Sequence, residues 1–133
     1  MIEFEVRTNG RTDFVNITSE VQTAVSELGV ADGAVLVWVP HTTAAVTVNE
    51  GADPDVVRDM SAALDRIAPW EAGYRHAEGN AAAHVKSSLF GCDQVVPVEN
   101  GRLVLGTWQT LWLCDFDGPR RRRVKVGSLA ARD

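Results

Sequence analysis

Residues 34–39 read AVLVWV, six apolar side chains without a break. A half-exposed strand alternates apolar and polar residues, so an unbroken run of this length predicts a central strand buried on both faces. A strand of that kind needs cover from two sides. The 133 residues supply enough chain for one domain with a single core.

The remaining patterns predict what provides the cover. IEFEV near the start alternates apolar and polar residues, and Asp13 to Ile17 predicts a second short strand. Ser19 with Gln22 has the form of a capping box, Val21, Val25 and Leu28 fall on one helical stripe, and Gly29 stands ready to end that helix. Ala44 to Val48 predicts another strand. Asp53-Pro54 is a strong helix start, with Val56, Met60, Leu64 and Ile67 as the core face and Pro69 as the stop. Trp70 to Gly79 is loop-like. Asn80 can cap a short helix, Ala81 to Phe90, that stops at Gly91.

The rest predicts β structure: Gln94 to Val98, Arg102 to Leu105, Gln109 to Phe116 and Arg121 to Val126. The Asn100-Gly101 pair between two of these runs is a hairpin signal. In the last strand Val124 and Val126 share one face, and Arg121, Arg123 and Lys125 share the other. The expected fold is therefore α+β, a single domain with a largely antiparallel sheet or sandwich and two to three helices.

Charge and composition bound the function. A formal net charge of -5 and a pI near 5.1 argue against a broad nucleic-acid-binding face. No apolar run reaches the roughly 20 residues that span a bilayer. The N-terminus lacks the basic and apolar regions of a signal peptide, so a cytoplasmic location is the default expectation. Cys92 and Cys114 form no CxxC pair and are expected to be buried thiols. The run Arg120 to Arg123 has two readings, a charge-blunted edge strand or a phosphate-binding or intersubunit element.

Four segments carry side chains suited to chemistry. His41, His76 and His84 are the three histidines, and three imidazoles can hold a divalent metal, zinc or magnesium. Their spacing matches no compact zinc motif, so separately satisfied histidines remain the other reading. Asp53 is explained as a helix cap, whereas Glu50 stands at a strand end where a carboxylate can act as base or ligand. His84 and Ser88 share a helical face, with Ser87 adjacent and Lys86 about 200° around from His84. The start of that helix also suits an anion. In Gly106-Thr107-Trp108-Gln109 the glycine suggests a bulge, and the pattern alone puts Trp108 in the core.

Taken together, HTTAAVTVNEGADPDV, GNAAAHVKSSLFG, NGRLVLGTWQ and CDFDGPRRRRV resemble, in order and rough spacing, the YjbQ-like family, also called the secondary thiamine-phosphate synthase family. The resemblance runs from the first strand to Val126. It implies a compact α+β domain that assembles as a homotrimer, with polar pockets near the subunit boundaries. The activity it implies joins hydroxymethylpyrimidine diphosphate to a thiazole phosphate with loss of pyrophosphate. Matched motif by motif, it implies catalytic roles for His41, His84, Glu50 and Lys86. Thr42, Thr43, Asn49, Asn80, Trp108, Gln109 and Arg120 then bind substrate, and His41, His76 and His84 are the candidate metal ligands. The alternative is a trimeric metal- or small-ligand-binding protein without turnover. Two positions depart from the family pattern: Asp115 stands where glutamate is usual, and Ala45 where glycine is common. The shorter Asp115 implies a water-mediated contact in place of a direct one.

Overall fold

A computed structural model describes residues 1–129. The elements are β1 (Ile2–Arg7), β2 (Asp13–Asn16), α1 (Thr18–Leu28), β3 (Gly33–Trp38), β4 (Ala44–Glu50), α2 (Pro54–Ile67), α3 (Ala81–Phe90), β5 (Asp93–Glu99), β6 (Arg102–Leu103), β7 (Gln109–Asp115) and β8 (Arg121–Ser128). The strands form two antiparallel sheets, one of five strands in the order β1-β8-β3-β5-β6 and one of three in the order β2-β7-β4. This is the α+β domain that the sequence predicts. Among the described residues no helix is long and apolar enough to cross a membrane.

The two sheets face each other across the main core. Val35 and Val37 of β3 and Val124 and Val126 of β8 meet Val46 of β4 and Leu111 and Leu113 of β7, with Val21 and Val25 of α1 joining them. The opposite face of the small sheet makes a second core, in which Ala45 and Cys114 pack with Leu64 of α2 and Ala83 of α3. Phe14, Phe90 and Phe116 meet there edge to face. The strand covered from two sides is thus β4, whose first three residues are all buried. In β3 only one face is buried within the chain, and Leu36 and Trp38 emerge on the other. An apolar run reports that both faces avoid water, and within one chain the outer face of β3 does not.

Several local expectations give way to tertiary partners. No side-chain capping bond forms at the start of α1: Gln22 instead donates to the Gly101 carbonyl and accepts from the Leu103 N–H. Asn80 makes no cap either, because its amide donates to Asp117. On α2 only Leu64 is buried, and Ile67 lies exposed at the helix end. Asp53 does cap that helix, accepting from the Asp55 N–H at 2.9 Å. Gly29 ends α1 in the left-handed region at φ 69°. Asn100 and Gly101, at φ 50° and 75°, make the β5–β6 turn. β8 lies between β1 and β3, but β3 pairs only with Lys125 to Ser128, so Arg121 to Arg123 pair with β1 alone; Arg121 and Arg123 stand exposed on this locally open edge, and Arg122 is buried.

Candidate functional site

Three stretches converge at one end of the sandwich: the loop leaving β3, the 76–80 loop with the start of α3, and the turn between β7 and β8. They enclose an open cavity of about 670 Å³ lined by His41, His76, His84, Asn80, Arg120 and Arg122 among others. The fold thus brings all three histidines to a single cavity. The His76 and His84 rings lie edge to face, 5.2 Å between centroids. The Glu78 carboxylate stands 3.9 Å from His76 Nε2.

The polar wall is organised around Asp115, which is fully buried. Its Oδ1 accepts from the Arg122 guanidinium at 2.7 Å and from the Asp117 N–H at 2.9 Å, and its Oδ2 accepts from the Thr8 hydroxyl at 2.6 Å. Burial alone would raise the Asp115 pKa, but these hydrogen bonds outweigh it and hold the carboxyl below its ordinary value. The contact expected to run through water is therefore direct. Arg122 also donates to Thr43 Oγ1 at 2.7 Å. One layer further out, Asp117 accepts from Asn80 at 2.9 Å and from Arg120 at 3.1 Å. The turn that holds these groups needs Gly118. A Cβ there would lie 2.4 Å from the Gly10 carbonyl and 2.9 Å from Asp115 Oδ2.

His41 sits at the mouth of this wall. Its Nε2 accepts from the Arg123 backbone N–H at 2.8 Å. The hydrogen bond assigns the tautomer: the lone pair is on Nε2 and the proton on Nδ1. Burial, and then the charges of Arg122 and Arg123, lower its pKa below 6.5, so the ring is neutral at pH 7. It can donate through Nδ1, but its one lone pair is already engaged.

Buried polar atoms are nearly always paired. Among the described residues three buried side-chain atoms have no partner: Asn80 Oδ1, Arg122 Nε and Ser87 Oγ. Asn80 and Arg122 line the cavity, and Ser87 lines an adjoining cleft that shares His41 and His84 with it. All three orphans therefore belong to the lining of two adjoining cavities.

The other sequence candidates lie elsewhere in the chain. Asn49 and Glu50 end β4, about 20 and 23 Å along the chain from Thr43 at about 3.3 Å per residue. Glu50 pairs in register with Gln109, so Trp108 and Gln109 share that far end. Gln109 Oε1 accepts from the Gly106 N–H at 2.7 Å and closes its own loop. Trp108 is 64% exposed and not in the core. Lys86 points away from the cavity: its stem is buried and its ammonium pairs with Asp65 of α2. Thr8 was not singled out by sequence, Arg122 only as one of the Arg120 to Arg123 run, and Asp115 only as a departure from the family pattern. A signal for Arg122 existed, because residues 122, 124 and 126 share a strand face and the two valines mark it as the buried one.

The donor set does not fit a zinc or magnesium ion within one chain. The His41 lone pair is taken by a backbone N–H, and Asp115 and Asp117 are held by guanidinium groups. Among the described residues no three His, Cys, Asp or Glu side chains group closely enough to hold a metal.

Comparison with known proteins places this geometry in a family. Residues 2–131 match the family described as UPF0047 protein YjbQ-like. The chain is 52% identical over 123 residues to UPF0047 protein YugU of Bacillus subtilis, covering 92% of this chain and 93% of that protein. It is 44% identical over 126 residues to UPF0047 protein MJ1081 of Methanocaldococcus jannaschii, covering 95% and 91%. A crystal structure of a YjbQ/UPF0047-family protein from Clostridium acetobutylicum superposes with a TM-score of 0.94 at 48% identity, covering 97% of this chain and all of that one. The conserved hypothetical protein TT1486 of Thermus thermophilus gives 0.90 at 45% identity, over 97% and 100%. With the family match spanning nearly the whole chain, this protein belongs to the YjbQ-like UPF0047 family.

Proposed function

We propose that the cavity is the active site of a cytoplasmic small-molecule enzyme acting on phosphorylated substrates, of the kind the family resemblance implies. The reaction joins hydroxymethylpyrimidine diphosphate and thiazole phosphate. The bond between the methylene carbon and the diphosphate oxygen breaks, its electron pair leaving with pyrophosphate. The thiazole nitrogen supplies the pair for the new carbon–nitrogen bond, so the step needs no oxidant or reductant. The observation that carries this reading is the placement of Arg120 and Arg122 beside three histidines in one concave site. Guanidinium groups suit phosphate oxygens, and charge that builds on a leaving group is best stabilised by donors already in place. In this scheme the half-exposed Arg120 holds the diphosphate with Asn80 and Thr42, the buried Arg122 and Thr43 stand behind them, and His41 donates to it through Nδ1. His84 carries the proton traffic. Lys86 has a positioning role at most, since it is committed to Asp65.

The same proposal includes the homotrimer. The outer face of the large sheet leaves Leu36, Trp38 and Val95 without cover in the middle of a five-stranded sheet, which supports a protein partner there. In such an assembly the distant Asn49, Glu50, Trp108 and Gln109 would serve a neighbouring protomer's cavity. The test is formation of thiamine phosphate from the two precursors by purified protein. His84→Ala should abolish it while leaving an assembly of three times the 14.4 kDa chain mass. Undiminished turnover in that variant would remove the site from consideration. A second reading, ligand binding without turnover, draws support from the tied aspartates: Asp115 and Asp117 are both engaged by arginines and offer no free base. Tight binding of substrate with no product over long incubation would favour it.

A further inference from the structure

Next to the arginine-lined cavity lies a cleft of about 440 Å³, and His41 and His84 line both. Ala44, Ser87, Ser88 and Gly91 add to its lining, and no Asp, Glu, Lys or Arg takes part. The two compartments thus differ in kind. One offers fixed charges, and the other offers small side chains, hydroxyls and imidazole edges.

Ser87 distinguishes the cleft from a packing gap. The residue is 7% exposed, and its Oγ is sealed from water with no hydrogen-bond partner. A serine in a helix ordinarily satisfies itself on the carbonyl one turn back. Here that bond is not made. A buried hydroxyl without a partner is unfavourable, and alanine would fit the same space without that cost. A turn of the Ser87 side chain toward the cleft it lines would let a ligand heteroatom satisfy it.

Resting on the synthase reading above, we infer that the Ser87 cleft is the subsite for the uncharged nitrogen-heteroaromatic ring of the diphosphate substrate. The ring would bond to Ser87 Oγ through a ring nitrogen or an exocyclic amine while the diphosphate occupies the arginine-lined compartment. A phosphate in the cleft would lose its water with no cation to replace it, whereas an uncharged ring loses little. A substrate spanning both compartments holds its methylene carbon between His41 and His84, where the bond is to break.

The test uses two probes, the uncharged hydroxymethylpyrimidine alcohol and inorganic pyrophosphate, titrated by calorimetry into wild-type protein, Ser87→Ala and Arg120→Gln. Ser87→Ala is expected to weaken the alcohol by about three- to tenfold, the loss of one neutral hydrogen bond, and to leave pyrophosphate unchanged. Arg120→Gln should do the reverse. The melting temperature of Ser87→Ala should equal or exceed that of wild type, because no protein hydrogen bond is removed. Ser87→Cys provides a second, near-isosteric variant with the same expected direction. Unchanged alcohol affinity in both Ser87 variants overturns the assignment. So does equal weakening of both probes, or wild-type protein that fails to bind the alcohol. Divided binding without any thiamine phosphate formation would sink the synthase reading and leave the subsite standing.

Discussion

Replacing Arg122 by methionine removes a guanidinium that is only 3% exposed and leaves the fully buried Asp115 carboxylate without its cation. The Thr8 hydroxyl and the Asp117 N–H remain as donors, but neither carries charge. Breaking a buried ion pair from one side costs about 3–5 kcal/mol. Two surviving hydrogen bonds place this site near the lower end, about 3 kcal/mol, or about 10–15 °C in melting temperature for a domain of this size. The pH dependence carries the sharper signature. In wild type the Asp115 pKa is lowered from 3.8, so its contribution is present above that value and lost as pH falls through the folded-state pKa. In Arg122→Met the carboxyl is buried without its cation and its pKa rises. The variant then takes up protons on folding, and its deficit relative to wild type shrinks as pH falls from 7 to 4. Urea unfolding followed by tryptophan fluorescence at several pH values measures this. A second arm replaces both partners, Arg122→Met with Asp115→Leu. That variant should recover part of the loss, because Thr8 keeps the Arg120 carbonyl, at 3.1 Å, as an alternative acceptor while the Asp117 N–H loses Asp115. A deficit below about 1 kcal/mol, or one that does not change with pH, would refute the account of this wall.

Three further outcomes follow. His41 has its pKa lowered from 6.5, so wild-type stability should decline as pH falls below that value, and His41→Gln should flatten the decline between pH 7 and 5. Equal slopes would contradict the Arg123 hydrogen bond. Trp108→Ala removes an exposed side chain and should change stability by no more than about 0.5 kcal/mol. If Trp108 serves a neighbour's cavity, turnover should nonetheless drop at least tenfold, and unaltered turnover would exclude that role. Elemental analysis should find far less than one zinc per chain, with melting unaffected by chelator; stoichiometric metal that is lost in His41→Gln would disprove the assigned His41 tautomer.

Local patterns carried much of the architecture. Gly29, Asp53-Pro54 and Asn100-Gly101 act through their own backbone geometry or nearest neighbours, and each sits where its chemistry predicts. The failures share one cause. Gln22 and Asn80 have the right types for capping, but partners 79 and 37 residues away claim their side chains. Trp108 reads as core from pattern alone, and only the tertiary fold places it at an exposed turn. The site divides in the same way. The three histidines were legible as candidates because the residue type is scarce. Their meeting in one cavity was implied by the family resemblance and not by their spacing, since it depends on how the 76–80 loop returns to the loop before β4. Arg122 was masked by its neighbours: four arginines in succession suggest a solvated strip, and strand parity alone separates the buried one.

β4 begins beside the histidine cavity and ends at Glu50, with both of its faces committed to packed layers over its first half. Such a strand behaves as a fixed spacer. Adding or deleting a single residue between Thr43 and Asn49 would exchange the faces of every position beyond it, sending Val46 toward the helices and Thr47 into the main core. The separation between the two ends of the strand is therefore set by the fold, independently of any chemistry at either. Changes of length among proteins of this architecture have to be absorbed elsewhere, and the exposed 71–79 loop between α2 and α3 is open to them.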